Sequence, residues 1–319
     1  MELSDLQQLC RADGYARLRL GLGLYGWQAA VLNAVSDRGA RVAVRTCNES
    51  GKTATLVTSL ILWHMESFLG SLTVTTSGSY RQIKDQLYPH LQAWGGRLGA
   101  GWEFGDGWGK FHPTGSRLVS FSTDNPGKAE GWHEPPRMPG EIAGRTNPLR
   151  GLVSDDEWLS MAGAAQKSSL MLIMDEAKTP PQALHEAFER CHATRWINLS
   201  SPGGSSGPFY DCFHKHAERW QTFQVRAQDC PHLWDDPLKR AEIECQIRTL
   251  RTELVQSMIY GEFMPTGSGQ VFDMEAVDGC MGASAKSVGA GQYQRGALDS
   301  SAGGDEQVLA CCDGNRAWF

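Results

Sequence analysis

Arg41-Val-Ala-Val-Arg-Thr-Cys-Asn-Glu-Ser-Gly-Lys-Thr53 decides the fold. Its first six residues are rich in β-branched side chains and read as a strand. Cys47, Asn48, Glu49, Ser50 and Gly51 form a polar loop, and residues 52–65 carry apolar side chains at helical spacing. A strand, a short loop ending in Gly-Lys-Thr and a helix is the layout of a phosphate-binding loop. In that layout the backbone N–H groups of the loop, from Thr46 to Thr53, converge on a phosphate at the helix N-terminus. Gly51 permits close approach of the backbone, Lys52 reaches the outer phosphates, and the Thr53 hydroxyl is placed for Mg²⁺. Thr46 departs from the general pattern, which has glycine at that position. The competing reading is a plain strand–turn–helix with an exposed lysine.

A second segment bears on that choice. Leu170-Met-Leu-Ile-Met-Asp-Glu-Ala177 is an apolar strand ending in two carboxylates. Such a run is the signature of a strand buried on both faces in a parallel sheet. Asp175 at its C-terminal edge suits Mg²⁺, and Glu176 suits a general base for an attacking water. Asp155-Asp156-Glu157 is a rival acidic group, but no apolar strand precedes it, and it reads as a helix start.

Outward from these two segments, helices are expected over residues 25–37, 80–94, 181–191 and 208–218, with one or two amphipathic helices over 236–260. Further strands are expected at 72–76, 118–122 and 195–199. Residues 95–115 read as loop with a hairpin, and 124–168 as loop with one short helix near 155–165. Strands alternating with helices give an α/β fold: a P-loop NTPase with a mostly parallel central sheet flanked by helices, plus a small helical subdomain. The division expected is a P-loop core over 1–228, a helical subdomain over 229–264 and a linker over 265–294 with a short strand near Val271 and Phe272.

The bulk numbers agree with a globular reading. The chain has 319 residues, 41% of them hydrophobic and 21% charged, enough for one large or two medium domains. No apolar run reaches the roughly 18 residues a membrane span needs, and no signal peptide is read. The nine cysteines include no C-x-x-C pair and read as free thiols of a reducing cytoplasm. His214 and His216 lack metal-spaced partners and read as a solvated face. A formal net charge of −6 argues against a protein coated in basic residues for static DNA binding, but not against a motor touching DNA through a few loops.

Several further motifs resemble, in order, those of the terminase large subunit of tailed phages, the ATPase that packages viral DNA. Leu24-Tyr-Gly-Trp-Gln28 resembles the family's adenine-side motif, with Gln28 on the base and Trp27 nearby. Thr73-Val-Thr-Thr-Ser77 followed by Tyr80-Arg-Gln-Ile-Lys84 resembles the motor strand and helix that face DNA. Asp124-Asn-Pro-Gly-Lys128 and Gly131-Trp-His133 resemble the approach to the second carboxylate strand. Ile197-Asn-Leu-Ser-Ser-Pro202 with Gly207-Pro-Phe-Tyr210 resembles the coupling motif, which implies that Asn198, Ser200 and Ser201 sense the γ-phosphate. Asp229-Cys-Pro-His232 and Ile259-Tyr-Gly-Glu-Phe263 resemble landmarks that close the ATPase region.

The resemblance implies ATP and Mg²⁺ as cofactors and double-stranded DNA as the substrate moved. Its partners would be a portal protein, a procapsid and a small terminase subunit. It also implies a homo-oligomeric ring working in the host cytoplasm, with no membrane. Many members carry an arginine inside the phosphate loop; here either Arg45 substitutes or another arginine acts from a neighbouring subunit, with Arg145 and Arg150 as loop candidates. Gly296-Ala-Leu-Asp299 resembles the first strand of the family's ribonuclease-H-like nuclease domain, truncated within 295–319, with Asp299 as its first metal-binding carboxylate; the alternative is an ordinary turn. A two-metal nuclease needs several converging carboxylates, so no nuclease activity is expected of this chain. The rival readings are another P-loop translocase or helicase, and a nucleotide switch that binds without turnover.

Overall fold

The computed structural model describes residues 8–123, 131–133, 154 and 169–264, and the backbone of residues 295–299, 308–313 and 316–318. The chain divides into two compact units, Met1–Met264 and Pro265–Phe319.

The first unit is built on the apolar run that ends in Asp175. This run is β6 (Leu170–Asp175), buried at every position. Its neighbours β2 (Leu72–Ser77) and β7 (Arg195–Ser200) are equally buried, and both pair with it in parallel. β1 (Ala40–Thr46) lies outside β7, and β8 (Gln221–Val225) outside β1, again in parallel. On the other side, β5 (Ser116–Ser122) pairs with β2 in parallel, and the antiparallel hairpin of β3 (Trp102–Gly105) and β4 (Trp108–Phe111) closes the edge. The order across the eight strands is β3-β4-β5-β2-β6-β7-β1-β8.

Successive residues of a strand face opposite sides of a sheet, so each central strand serves two apolar layers. Val42, Val44, Met171, Ile173, Ile197 and Leu199 enter one layer; Ala43, Leu170, Leu172, Met174 and Trp196 enter the other. On the first side pack α1 (Ala12–Leu18), α2 (Gly26–Ser36), α3 (Thr58–Ser67) and the continuous helix α4, whose segments are Tyr80–Gln82, Ile83–Leu87 and Tyr88–Leu98. Ser79 caps α4, accepting from the Gln82 N–H, and the Gln82 carboxamide in turn accepts from the Ser79 N–H. The second layer is covered by α5 (Gln182–Arg190) and the one-turn α6 (Pro208–Asp211). α7 (Pro231–Trp234), α8 (Pro237–Thr249) and α9 (Thr252–Met258) place Leu233, Ile243, Val255 and Ile259 in the first layer. The polar floor of this layer is Arg195, which donates to the carbonyls of Val35 and Ser36 and lies over the rings of Trp63 and Phe68. His64 sits beside it, wholly buried between Thr73 and Ser169, and burial followed by the Arg195 charge holds its pKa well below the ordinary value.

The α/β class, the parallel core and the central elements match the sequence reading. Three elements differ from it. β8 was not anticipated, because Gln-Thr-Phe-Gln-Val is half polar, as an edge strand can be. The helix expected over 208–218 ends after one turn; beyond it Phe213 turns inward onto Phe209 and Phe263. The helix after the phosphate loop begins as a π-helix over Lys52–Val57 before continuing as α3.

The second unit holds a three-stranded antiparallel sheet, β11 (Arg316–Trp318), β10 (Val308–Asp313) and β9 (Arg295–Asp299), in the order β11-β10-β9. Asp299 closes β9, in register with Val308. The expected helix at 155–165, the acidic group at 155–157, Asp124 to Lys128, Arg145, Arg150 and the expected linker with its Val271–Phe272 strand lie outside the described residues.

Candidate functional site

The site forms where β1 and β6 end. Asp175 is the last residue of β6 and shares the face of Met171 and Ile173, toward the layer that receives the helix after the phosphate loop. Two residues into that helix, the Thr53 hydroxyl donates to Asp175 Oδ2 at 2.6 Å. Glu176 then turns out of the strand with φ 56°, in the left-handed region, and its N–H is capped by Asp175 Oδ1 at 3.0 Å. The turn aims the Glu176 carboxylate at Lys52, whose Nζ lies 2.9 Å from Oε1. The Ser200 hydroxyl at the end of β7 donates to the other carboxylate oxygen at 3.3 Å. Five residues from three separate segments therefore converge: Lys52 and Thr53, Asp175 and Glu176, and Ser200.

Burial sets the electrostatics. Desolvation raises the Asp175 pKa, and Glu176 adds to the rise, while Lys52 and the Thr53 hydroxyl pull the other way. Burial also works against the Lys52 charge, but Asp175 and Glu176 more than offset it and leave the Lys52 pKa raised. A carboxyl with its pKa raised by folding is fully compatible with the fold only below its unfolded pKa, and it costs stability as pH rises through its folded pKa. Asp175→Asn is therefore expected to raise the denaturant midpoint at neutral pH, with the gain shrinking toward acid. A midpoint that falls at neutral pH would show that the Lys52 pairing, not desolvation, dominates.

The loop itself is pinned from outside. Cys47 N–H donates to the Val225 carbonyl and Asn48 N–H to that of Met258, both at 2.8 Å. The Glu49 carbonyl accepts from His232 Nε2 at 2.8 Å, so in the neutral ring Nδ1 accepts from the Tyr25 hydroxyl at 3.0 Å. Asn48 and Glu49 expose their side chains, and Glu49 pairs with Lys239 at 3.3 Å. Cys47 faces inward, its sulfur 3.9 Å from that of Cys230. Gly51 has φ 82°, which a side chain would strain, and it opens the π-helix. Thr46 ends β1 as a regular strand residue opposite Val225, so the position that departs from the general pattern has no need of glycine there.

Gln28 is buried, its carboxamide nitrogen 3.9 Å from where a Cβ on Gly51 would stand and its carboxamide oxygen accepting from the Tyr25 N–H at 3.0 Å. Trp27 packs against the first apolar layer. Arg45 and Asn198 are not brought to the cluster, for the same reason in each case: the strand pleat turns them to the other face. Arg45 shares the face of Ala43, donates to Gln224 at 2.8 Å and lies over Phe213 and Phe263. Asn198 is buried and donates to the Cys212 sulfur at 3.5 Å. Ser200 also follows that alternation, but as the last strand residue its hydroxyl reaches Glu176.

Sequence reasoning missed Lys178, whose Nζ donates to Ser201 at 2.8 Å beside Glu176. The available signal was its spacing, two residues beyond the paired carboxylates. It also missed the anchoring of the loop by Val225, His232, Lys239 and Met258, which no local pattern reveals.

A triphosphate and Mg²⁺ fit these residues. Among the described residues Thr46 Oγ1 and Ser50 Oγ are buried polar atoms without a hydrogen-bond partner, and the N–H groups heading the helix have no intrahelical acceptor. One carboxylate with one hydroxyl is also the sparse donor set usual for Mg²⁺, which keeps its waters and takes phosphate oxygens. The fold and this cluster define a P-loop α/β protein.

No family model and no curated protein matches the chain. Solved structures do. The large terminase of a thermophilic bacteriophage superposes with a TM-score of 0.53 at 12% identity, over 96% of this chain and 64% of that one. A point mutant of the Thermus phage P74-26 large terminase ATPase domain gives 0.53 at 14% identity, over 79% and 99%. The HK97 bacteriophage large terminase gives 0.54 at 11%, over 81% and 55%. This chain thus spans about two thirds or less of the two longer proteins and nearly the whole of the isolated ATPase domain. At these identities the likeness is one of fold: the chain has the fold of phage large terminase ATPase domains.

Proposed function

We propose that this chain is the ATPase motor part of a viral terminase large subunit, coupling ATP hydrolysis to movement of double-stranded DNA into a procapsid. The observation that carries the reading is the convergence of Lys52, Thr53, Asp175 and Glu176 at the ends of β1 and β6. The order of family-like motifs along the chain supports it. So does the solution of the thermophilic phage terminase with ADP and with ATP-gamma-S, at TM-scores of 0.51 and 0.50.

In this mechanism Lys52 exchanges its pairing with Glu176 for the outer phosphates of ATP. Thr53 and Asp175 would hold Mg²⁺, which would supply neutralisation of charge on the phosphate oxygens. Glu176, freed from Lys52, accepts a proton from the water that attacks the terminal phosphorus as the bond to the bridging oxygen breaks and ADP leaves. Ser200, bonded to Glu176, carries its change of position into β7 and the loop beyond. Gln28 and Trp27 line the base side. Double-stranded DNA, a portal protein, a procapsid, a small terminase subunit and a homo-oligomeric ring in the host cytoplasm belong to this proposal. Any nuclease site at Asp299 would need carboxylates from further strands. Among the described residues no helix is long and apolar enough to cross a membrane.

The test is phosphate release by the chain with Mg²⁺ and ATP, with and without linear double-stranded DNA. Turnover that rises with DNA is expected. ATP binding with no turnover under either condition would replace the motor by a nucleotide switch.

A further inference from the structure

The phosphate loop brings Lys52 alone as a cation to Glu176, and Arg45 is turned to the other face of the sheet. A cleft of ≈ 690 Å³ is lined by Glu176 and by two further cations, Arg81 and Lys178, with Ser79, Gln82 and Ser201 among others. Arg81 is paired there with Asp85 at 3.4 Å. Lys178 is not: among the described residues its ammonium makes one polar contact, to the neutral Ser201 hydroxyl at 2.8 Å.

The backbone explains why it points there. The left-handed turn at Glu176 swings the chain off the edge of β6, and the Ala177 N–H is caught by the Leu199 carbonyl at 3.0 Å. Lys178 is then laid across the exit of β7, with its aliphatic stem along Gly203, whose added Cβ would sit 3.7 Å from Lys178 Cδ. Glu176 and Lys178 thus rest on consecutive serines, Ser200 and Ser201. An exposed ammonium on a neutral hydroxyl gives up little when it moves to an anionic oxygen, since a hydrogen bond to a charged acceptor is the stronger one.

We infer that Lys178 is a second phosphate-binding cation of this site, engaging the terminal phosphoryl group of a nucleoside triphosphate from the Glu176 side while Lys52 holds the loop side. A compact ammonium with three rotatable donors suits such a contact. The inference rests on the nucleotide reading above. It makes a demand which that reading alone does not: the contribution of Lys178 is confined to the third phosphate.

The experiment compares binding of AMP-PNP and of ADP, each with Mg²⁺, to the full chain and to Lys178→Met, which keeps the stem along Gly203 and removes the charge. The expected result is a roughly 10- to 100-fold loss of AMP-PNP affinity, the size of one charge-assisted contact, with ADP affinity unchanged and with recovery in Lys178→Arg. Equal weakening of both ligands would assign Lys178 a structural role and overturn the inference. Binding of both at the level of the unmodified chain would do the same while leaving the nucleotide site intact. Failure of the unmodified chain to bind either ligand would sink the nucleotide reading, and the inference with it.

Discussion

Glu176→Gln is expected to lower steady-state ATP turnover by about 10²- to 10⁴-fold, the usual contribution of a positioned general base, while nucleotide binding is retained or tightened. In the structure Glu176 is both the nearest base candidate and the counter-ion of Lys52, at 2.9 Å. It is also among the charges that hold the Lys52 pKa up. Glutamine keeps the size and an oxygen for the Ser200 hydroxyl, but it takes no proton at neutral pH and competes weakly for an ammonium. Loss of the base role shows in kcat, and loss of the counter-ion role shows in affinity with the opposite sign. Single-turnover kinetics beside equilibrium binding separates the two. A variant with undiminished kcat and altered affinity would mean that Glu176 is only the resting partner of Lys52, and that another group activates the water.

The parts of this site legible in the sequence are those whose chemistry is local. A loop between a strand and a helix fixes where Gly51, Lys52 and Thr53 must stand, because the helix N-terminus supplies the free N–H groups. An apolar strand ending in two carboxylates fixes Asp175 and Glu176, because five apolar residues in succession suit a strand buried on both faces. Their meeting was also legible, since parallel strands end on one edge of the sheet. The assignments that strayed depend on facing. Arg45 stands one residue from the loop, yet the pleat sends it toward Phe263 on the opposite layer. Asn198 belongs to a motif that resembles a γ-phosphate sensor, yet its side chain ends at Cys212. A motif gives spacing along the chain, and the face follows only when the apolar neighbours are sorted into two layers. The anchors of the loop were illegible for another reason: they join segments far apart along the chain, and no periodicity links Asn48 to Met258.

That long-range anchoring carries the largest stability effect expected here, at Gly261. The residue has φ 61°, and a Cβ added to it would stand 2.6 Å from the Val225 carbonyl oxygen, 3.3 Å from the Thr46 carbonyl carbon and 3.4 Å from the Cys47 nitrogen. All three neighbours are backbone, so no rotamer change relieves the contact. The Val225 carbonyl is moreover the acceptor for the Cys47 N–H, the first tether of the phosphate loop. Gly261→Ala combines a strained left-handed alanine with overpacking against two strand ends, and is expected to cost roughly 2–4 kcal/mol of stability. Because the strand ends that must yield belong to β1 and β8, the loop moves with them, and nucleotide affinity should fall in the folded fraction as well. Gly96→Ala is the matched control. It lies within α4 with open space around its Cβ, and is expected to gain about 0.5–1 kcal/mol through helix propensity. Denaturant midpoints of the two variants, with binding measured well below each midpoint, decide the matter. A Gly261→Ala protein as stable as its parent would show that the 259–263 segment can withdraw from the strand ends without loss. The tethers at Val225 and Met258 would then be resting contacts and not the support of the loop.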